Sequence, residues 1–142
     1  MRTVLVFGSF DIIHPGHVAF LRAAKRYGDR LIVVVNRDAA YRKEKGRVPI
    51  FSERERLALV ASLRDVSRAY LGDRPGSWTV IRRLRPDVIG VGYDQRVDHP
   101  GLAAQLMRLR KPPKIVKIQR FNNRKHKSSL IKKRIRDAER NP

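Results

Sequence analysis

The chain has 142 residues, 42% of them apolar and none of them cysteine, which suits one compact folded domain and excludes disulfides and thiolate metal sites. No apolar run approaches the roughly 18 residues that span a bilayer, and the N-terminus lacks the order of a signal peptide, so the expected setting is the cytoplasm, away from membranes. Lys and Arg number 33 against 13 acids, and residues 108–142 carry 14 basic and 2 acidic side chains of that excess, a field that favours polyanions such as nucleic acid or phosphorylated small molecules.

In chain order, the β-branched run "TVLVFG" (3–8) predicts a first strand, which gives way to the loop "GSFDIIHPGH" (8–17). Pro15, a good first-turn residue, opens a helix over 15–27 with Val18, Leu21 and Ala24 on one face. "RLIVVVN" (30–36) is the second strand; its unbroken apolar stretch Leu31–Val35 suits a strand covered on both faces, as in parallel sheets. "SERE" (52–55) has capping-box form, Ser52 with Glu55 three residues on, and starts a helix over 52–64. Leu57, Val60, Ala61 and the stem of Arg64 mark its inner side.

Strands follow at "SRAYLG" (67–72), "PDVIGVG" (86–92) and "PKIVKI" (113–118), alternating with helices over 76–84, 100–110 and 128–138. Ser128 is the cap expected for the last helix, and Ile131, Ile135 and Ala138 recur there at helical spacing. The least regular stretch, 119–127, reads as a loop. Alternating strand and helix predicts an α/β fold with a doubly wound, parallel, five-stranded sheet, Rossmann-like, in a single domain over 1–142. The basic loop and helix of 119–138 belong to that domain.

In such sheets ligands sit beyond the carboxyl ends of the strands, where the strand order reverses, and the 8–17 loop falls there. Gly8 lets backbone approach a ligand, following N–H groups can face an anion, and the helix after Pro15 points its positive end to the same place. His14 and His17 share a face if the helix has begun, and two imidazoles there can donate to phosphate oxygens. Neither the dinucleotide fingerprint nor a Walker loop is present, and two histidines with Asp11 do not form a clear zinc set.

"GSFDIIHPGH" resembles the G-x-F-D-x-x-H-x-G-H motif of the cytidylyltransferase-like nucleotidyltransferases. The similarity extends along the chain: "LIVVVNRD", the basic loop in "KEKGRVPIFSERER" and "PDVIGVGYDQ" resemble further segments of that superfamily. The longer basic insertion before Ser128 and Ser129 is closest to small archaeal FAD synthases, although those enzymes often carry C-terminal cysteines and this chain has none.

The resemblance implies attack by a substrate phosphate on the α-phosphorus of a nucleoside triphosphate with loss of pyrophosphate. Catalysis would then rest on positioning and charge. It assigns His14, His17 and Lys45 to catalysis. Gly8, Ser9, Phe10, Asp11, Asp94, Ser128 and Ser129 join the two histidines around the nucleotide, with an inward structural role for Asp11 as the alternative. Lys43, Arg56 and Arg120 go to the substrate phosphate. Tyr93, Trp78 and Phe121 are candidate flavin-stacking rings, with plain core roles as their alternative. Mg²⁺, or another divalent cation, would arrive with the triphosphate, with no dedicated metal ligands on the protein, and a homodimer is implied.

The expected substrates are ATP and FMN, giving FAD. The alternatives keep the chemistry with CTP and a polyol phosphate such as glycerol 3-phosphate, or with ATP and a sugar phosphate. A basic RNA-binding protein is the reading of a different class, but regular aromatic interleaving is missing from the C-terminal segment, so nucleic acid is not expected as the main partner.

Overall fold

The computed structural model describes residues 1–74, 77–92, 102–119 and 128–140. Strands β1 (Thr3–Gly8), β2 (Arg30–Val35), β3 (Arg68–Leu71), β4 (Val88–Gly92) and β5 (Lys114–Ile118) form one sheet in the order β3-β2-β1-β4-β5. Every pairing is parallel. Helices α1 (Pro15–Lys25), α2 (Asp38–Lys45), α3 (Glu53–Ala61), α4 (Thr79–Leu84), α5 (Leu102–Met107) and α6 (Ser128–Arg140) accompany it. The order reverses between β1 and β4, where Val4 pairs with Val88, so the crevice expected of an open parallel sheet lies off the end of β1.

Side chains alternate across a strand, and both faces of this sheet are apolar. Val4 and Val6 of β1 pack with Val33, Leu21, Ala24 and Val60 on the side of α1 and α3. Leu5 faces the other way, with Ile32, Val34, Ile81, Ile89 and Leu102 beneath α4 and α5. Burial on both faces is the reason Leu31–Val35 reads as an uninterrupted apolar run.

The five strands and the helices after Pro15 and Ser52 stand where the sequence puts them; several details differ. Residues 41–45, which the resemblance makes part of a basic loop, lie in helix α2. Its signals are Asp38 in the first turn, Arg42, Lys43 and Lys45 in the last, and Gly46 closing it at φ 70°. In α3 the buried residues are Arg56 and Val60, whereas Ala61 and Arg64 are exposed. In α6 the buried residue is Lys132, and Ile135 and Ala138, which recur at helical spacing, are exposed. Among the described residues no helix is long and apolar enough to cross a membrane.

Candidate active site

The turn between β1 and α1 is built by side chains that serve the backbone. Phe10 takes φ 52°, a left-handed conformation that L residues seldom adopt, and its ring is buried. A Cβ on Gly8 would lie 2.5 Å from that ring. Phe10 therefore requires a glycine at this position. Phe10 in turn packs edge-on against His17, with centroids 5.2 Å apart. Ser9 is held at both ends: its hydroxyl accepts from Asn36 Nδ2 at 3.2 Å and its carbonyl from Arg56 Nη1 at 2.7 Å.

His14 is the N-cap of α1. Its Nδ1 accepts from the Gly16 N–H at 3.1 Å, and His17 Nδ1 accepts from the His14 N–H at 3.3 Å. The imidazoles stack at 3.8 Å between centroids and 24° between planes. A neutral His17 ring whose Nδ1 accepts carries its proton on Nε2. Burial, reinforced by the neighbouring His14, pushes the His17 pKa down from 6.5 to about 3, against a smaller opposite pull from the Ile12 carbonyl. His17 is thus a neutral hydrogen-bond donor at pH 7. No acidic residue stands in the first turn of α1 to offset its positive end. A recess of about 530 Å³ opens beside it, lined by Ile13, His14, Pro15, Val18, Ala19 and Arg22.

Beneath the turn lies a buried polar network. Asp11, 3% exposed, accepts from the N–H groups of Ile50 and Phe51 at 2.9 Å each and from Lys132 Nζ. Burial alone would raise its pKa; the bonds from Lys132 and the two amides outweigh it, so the carboxyl is held below its usual range. Lys132 also donates to Tyr41 Oη at 3.3 Å, and the Tyr41 ring lies between Lys132 and Arg56, 5.7 and 6.0 Å from its centroid. Arg56 is fully buried; it donates to the carbonyls of Phe51 at 3.0 Å and Ser9 at 2.7 Å, and to Asp38 Oδ1 at 2.7 Å.

Arg56 and Asp11 are both bound to protein partners in this structure. The guanidinium of Arg56 is spent on three protein oxygens out of solvent, and both carboxylate oxygens of Asp11 are engaged by protein donors, so both residues hold the loop. Lys43 and Lys45 stand exposed on α2. Ser128 begins α6 and donates its hydroxyl to the Ile12 carbonyl at 3.1 Å, which brings the start of α6 to the histidine turn; Ser129 is exposed beside it. Trp78 packs edge-on against Phe7, centroids 6.4 Å apart, from a left-handed position of φ 53°. Asp94, Arg120, Tyr93 and Phe121 lie outside the described residues.

Sequence reading missed Tyr41 and Lys132. The second is hidden in the run Lys132-Lys133-Arg134, where nothing local separates a buried lysine from a solvated one. Among the described residues no three His, Asp or Glu side chains converge as a metal site.

A parallel sheet with a two-histidine, acid-free helix start at its switch point defines a phosphate-handling α/β protein. The Cytidylyltransferase-like family model matches residues 5–134, and the chain belongs to that family. It is 42% identical over 135 residues to the FAD synthase of Thermoplasma acidophilum, covering 95% of this chain and 94% of that one. With the FAD synthase of Methanothermobacter thermautotrophicus identity is 39% over 143 residues, covering 98% and 94%. Among solved structures, the lipopolysaccharide core biosynthesis protein from Thermoplasma volcanium superposes with a TM-score of 0.78 at 39% identity, covering 86% of this chain and 99% of that one.

Proposed function

We propose that the chain is an FAD synthase, transferring the adenylyl group of ATP to FMN. A phosphate oxygen of FMN attacks the α-phosphorus, the bond from that phosphorus to the oxygen bridging to the β-phosphate breaks, and pyrophosphate leaves. The incoming phosphate is already an anion, so no general base is required, and the protein's task is alignment and charge compensation. The observation that carries the transfer chemistry is the stacked His14–His17 pair at the acid-free first turn of α1. FMN and ATP are favoured as substrates by the extent of likeness to curated FAD synthases.

In this reading the Nε2–H groups of His14 and His17 hold the α- and β-phosphate oxygens more strongly as charge builds on them. Backbone N–H groups of the 8–10 segment, and those at Ser128 and Ser129, meet the remaining oxygens. Lys45 and Lys43 reach the phosphates from α2. Asp94 contacts the nucleotide's base or ribose and Arg120 the substrate phosphate. The triphosphate enters as its Mg²⁺ complex, the cation coming with the substrate. The protein works in the cytoplasm as a homodimer, with residues 1–142 of each copy forming one domain that includes α6.

A second reading is favoured by the name of the similar solved structure: nucleotidyl transfer to a sugar phosphate of lipopolysaccharide core synthesis. Pyrophosphate release measured for ATP and CTP, each crossed with FMN, glycerol 3-phosphate and sugar phosphates, separates the two. FAD with equimolar pyrophosphate from ATP and FMN is the expected result. Release only with a sugar phosphate would overturn the flavin assignment and keep the transfer chemistry.

A further inference from the structure

Helix α6 is held in an unusual way. Its buried residue is a lysine, and Ile135, the next apolar side chain along its length after Ile131, is 53% exposed. Apolar burial therefore contributes little to docking this helix. Among the described residues its polar contacts include two on the histidine turn, the Ser128 hydroxyl on the Ile12 carbonyl and Lys132 on Asp11, besides Lys132 on Tyr41. Residues four apart lie one above the other on a helix, so consecutive loop residues are gripped by one helix face. Ile12 lies two residues before His14, so the first turn of α6 is tied directly to the histidine turn.

We propose that Lys132 is a positioning residue of the transfer reaction, clamping α6 to Asp11 so that the start of α6 and the histidine turn stay in register. This rests on the adenylyl-transfer reading above. A buried ammonium costs desolvation that an apolar side chain of similar length avoids, so its advantage is placement rather than stability. The receiving carboxylate is well suited to that, because the Ile50 and Phe51 amides fix its orientation. Tyr41 Oη, at 3.3 Å, gives the ammonium a second fixed direction.

The test compares the wild-type chain with Lys132→Met, Lys132→Arg, Tyr41→Phe and the double variant Asp11→Asn/Lys132→Met, in FAD formation from FMN and MgATP and in thermal melting. A wild-type chain that makes no FAD overturns the functional reading by itself. The clamp is then judged by exchange of the 9–14 and 128–133 amides, which should quicken in Lys132→Met; unchanged exchange overturns it.

With an active wild type, Lys132→Met is expected to lose about 10²-fold in kcat, the scale of a small misplacement, with kcat/KM falling alongside. Lys132→Arg should recover to within about tenfold, since it restores a cation within reach of Asp11. The double variant leaves no unpaired buried charge, although the new amide nitrogen cannot accept one of the two backbone N–H bonds, so it should melt above Lys132→Met while staying slow. Turnover within about threefold of wild type in either methionine variant, folded at the assay temperature, overturns the proposal. Should neither fold, Tyr41→Phe decides: a severalfold slower, normally melting enzyme upholds the clamp, and unchanged turnover assigns Lys132 to stability alone.

Discussion

The starts of α1 and α3 solve the same local problem with different chemistry. In α3 the Ser52 hydroxyl accepts from the Glu55 N–H at 3.2 Å and the Glu55 carboxylate accepts from the Ser52 N–H at 3.1 Å. Glu53 and Glu55 also place negative charge on the positive end of the helix. In α1 the reciprocal arrangement is made by His14 and His17, and no acid stands in the first turn. Backbone donors are satisfied in both, but only α3 compensates its dipole. The α1 start instead presents two stacked imidazoles and no acid in its first turn, an arrangement that suits an anion.

The largest effect expected from breaking this contrast is in turnover. His14→Asn keeps a good N-cap acceptor for the Gly16 N–H, so stability should stay within about 1 kcal/mol. With the imidazole gone, FAD formation should fall about 10²–10³-fold, the usual loss for one preorganised donor to a charged transition state. Steady-state kinetics beside urea unfolding measure both, and turnover within about tenfold of wild type would erase the distinction between the two helix starts.

The pH dependence of stability sharpens it next. Below 6.5 the unfolded chain takes up a proton at His17 that the folded protein refuses until about pH 3. The unfolded state then binds more protons, so stability is full above pH 6.5 and declines as pH falls toward 3. Asp11, held below its usual range, keeps its contribution until the pH drops through the carboxylate region. Urea unfolding between about pH 7.5 and 4.5 should show the decline, and His17→Asn should flatten it. An equal slope in the variant would remove His17 as its cause.

Ser52→Ala makes the smallest change. It should cost about 0.5–2 kcal/mol of stability, as loss of a helix cap does, and leave turnover within about twofold. A loss of activity comparable with that of His14→Asn would mean that capping, rather than imidazole chemistry, limits the reaction.

Residue order alone was enough for whatever depends on near neighbours. Short apolar runs alternating with helical stretches specified five parallel strands, with burial on both faces plainest in Leu31–Val35. Pro15 and the Ser52–Glu55 pair marked helix starts, and the spacing of His14 and His17 placed two imidazoles on one turn. Asp38 and Gly46 carried signals for α2 as well, but the basic residues between them suggested a loop. Only the tertiary structure decided which charges face inward. Lys132 meets Asp11 across 121 residues of chain, and Arg56 meets Ser9 across 47. The physical reason is that helical periodicity reports a side chain's direction but not the carbonyl or carboxylate awaiting it. A buried cation looks like a solvated one until its partners are in place.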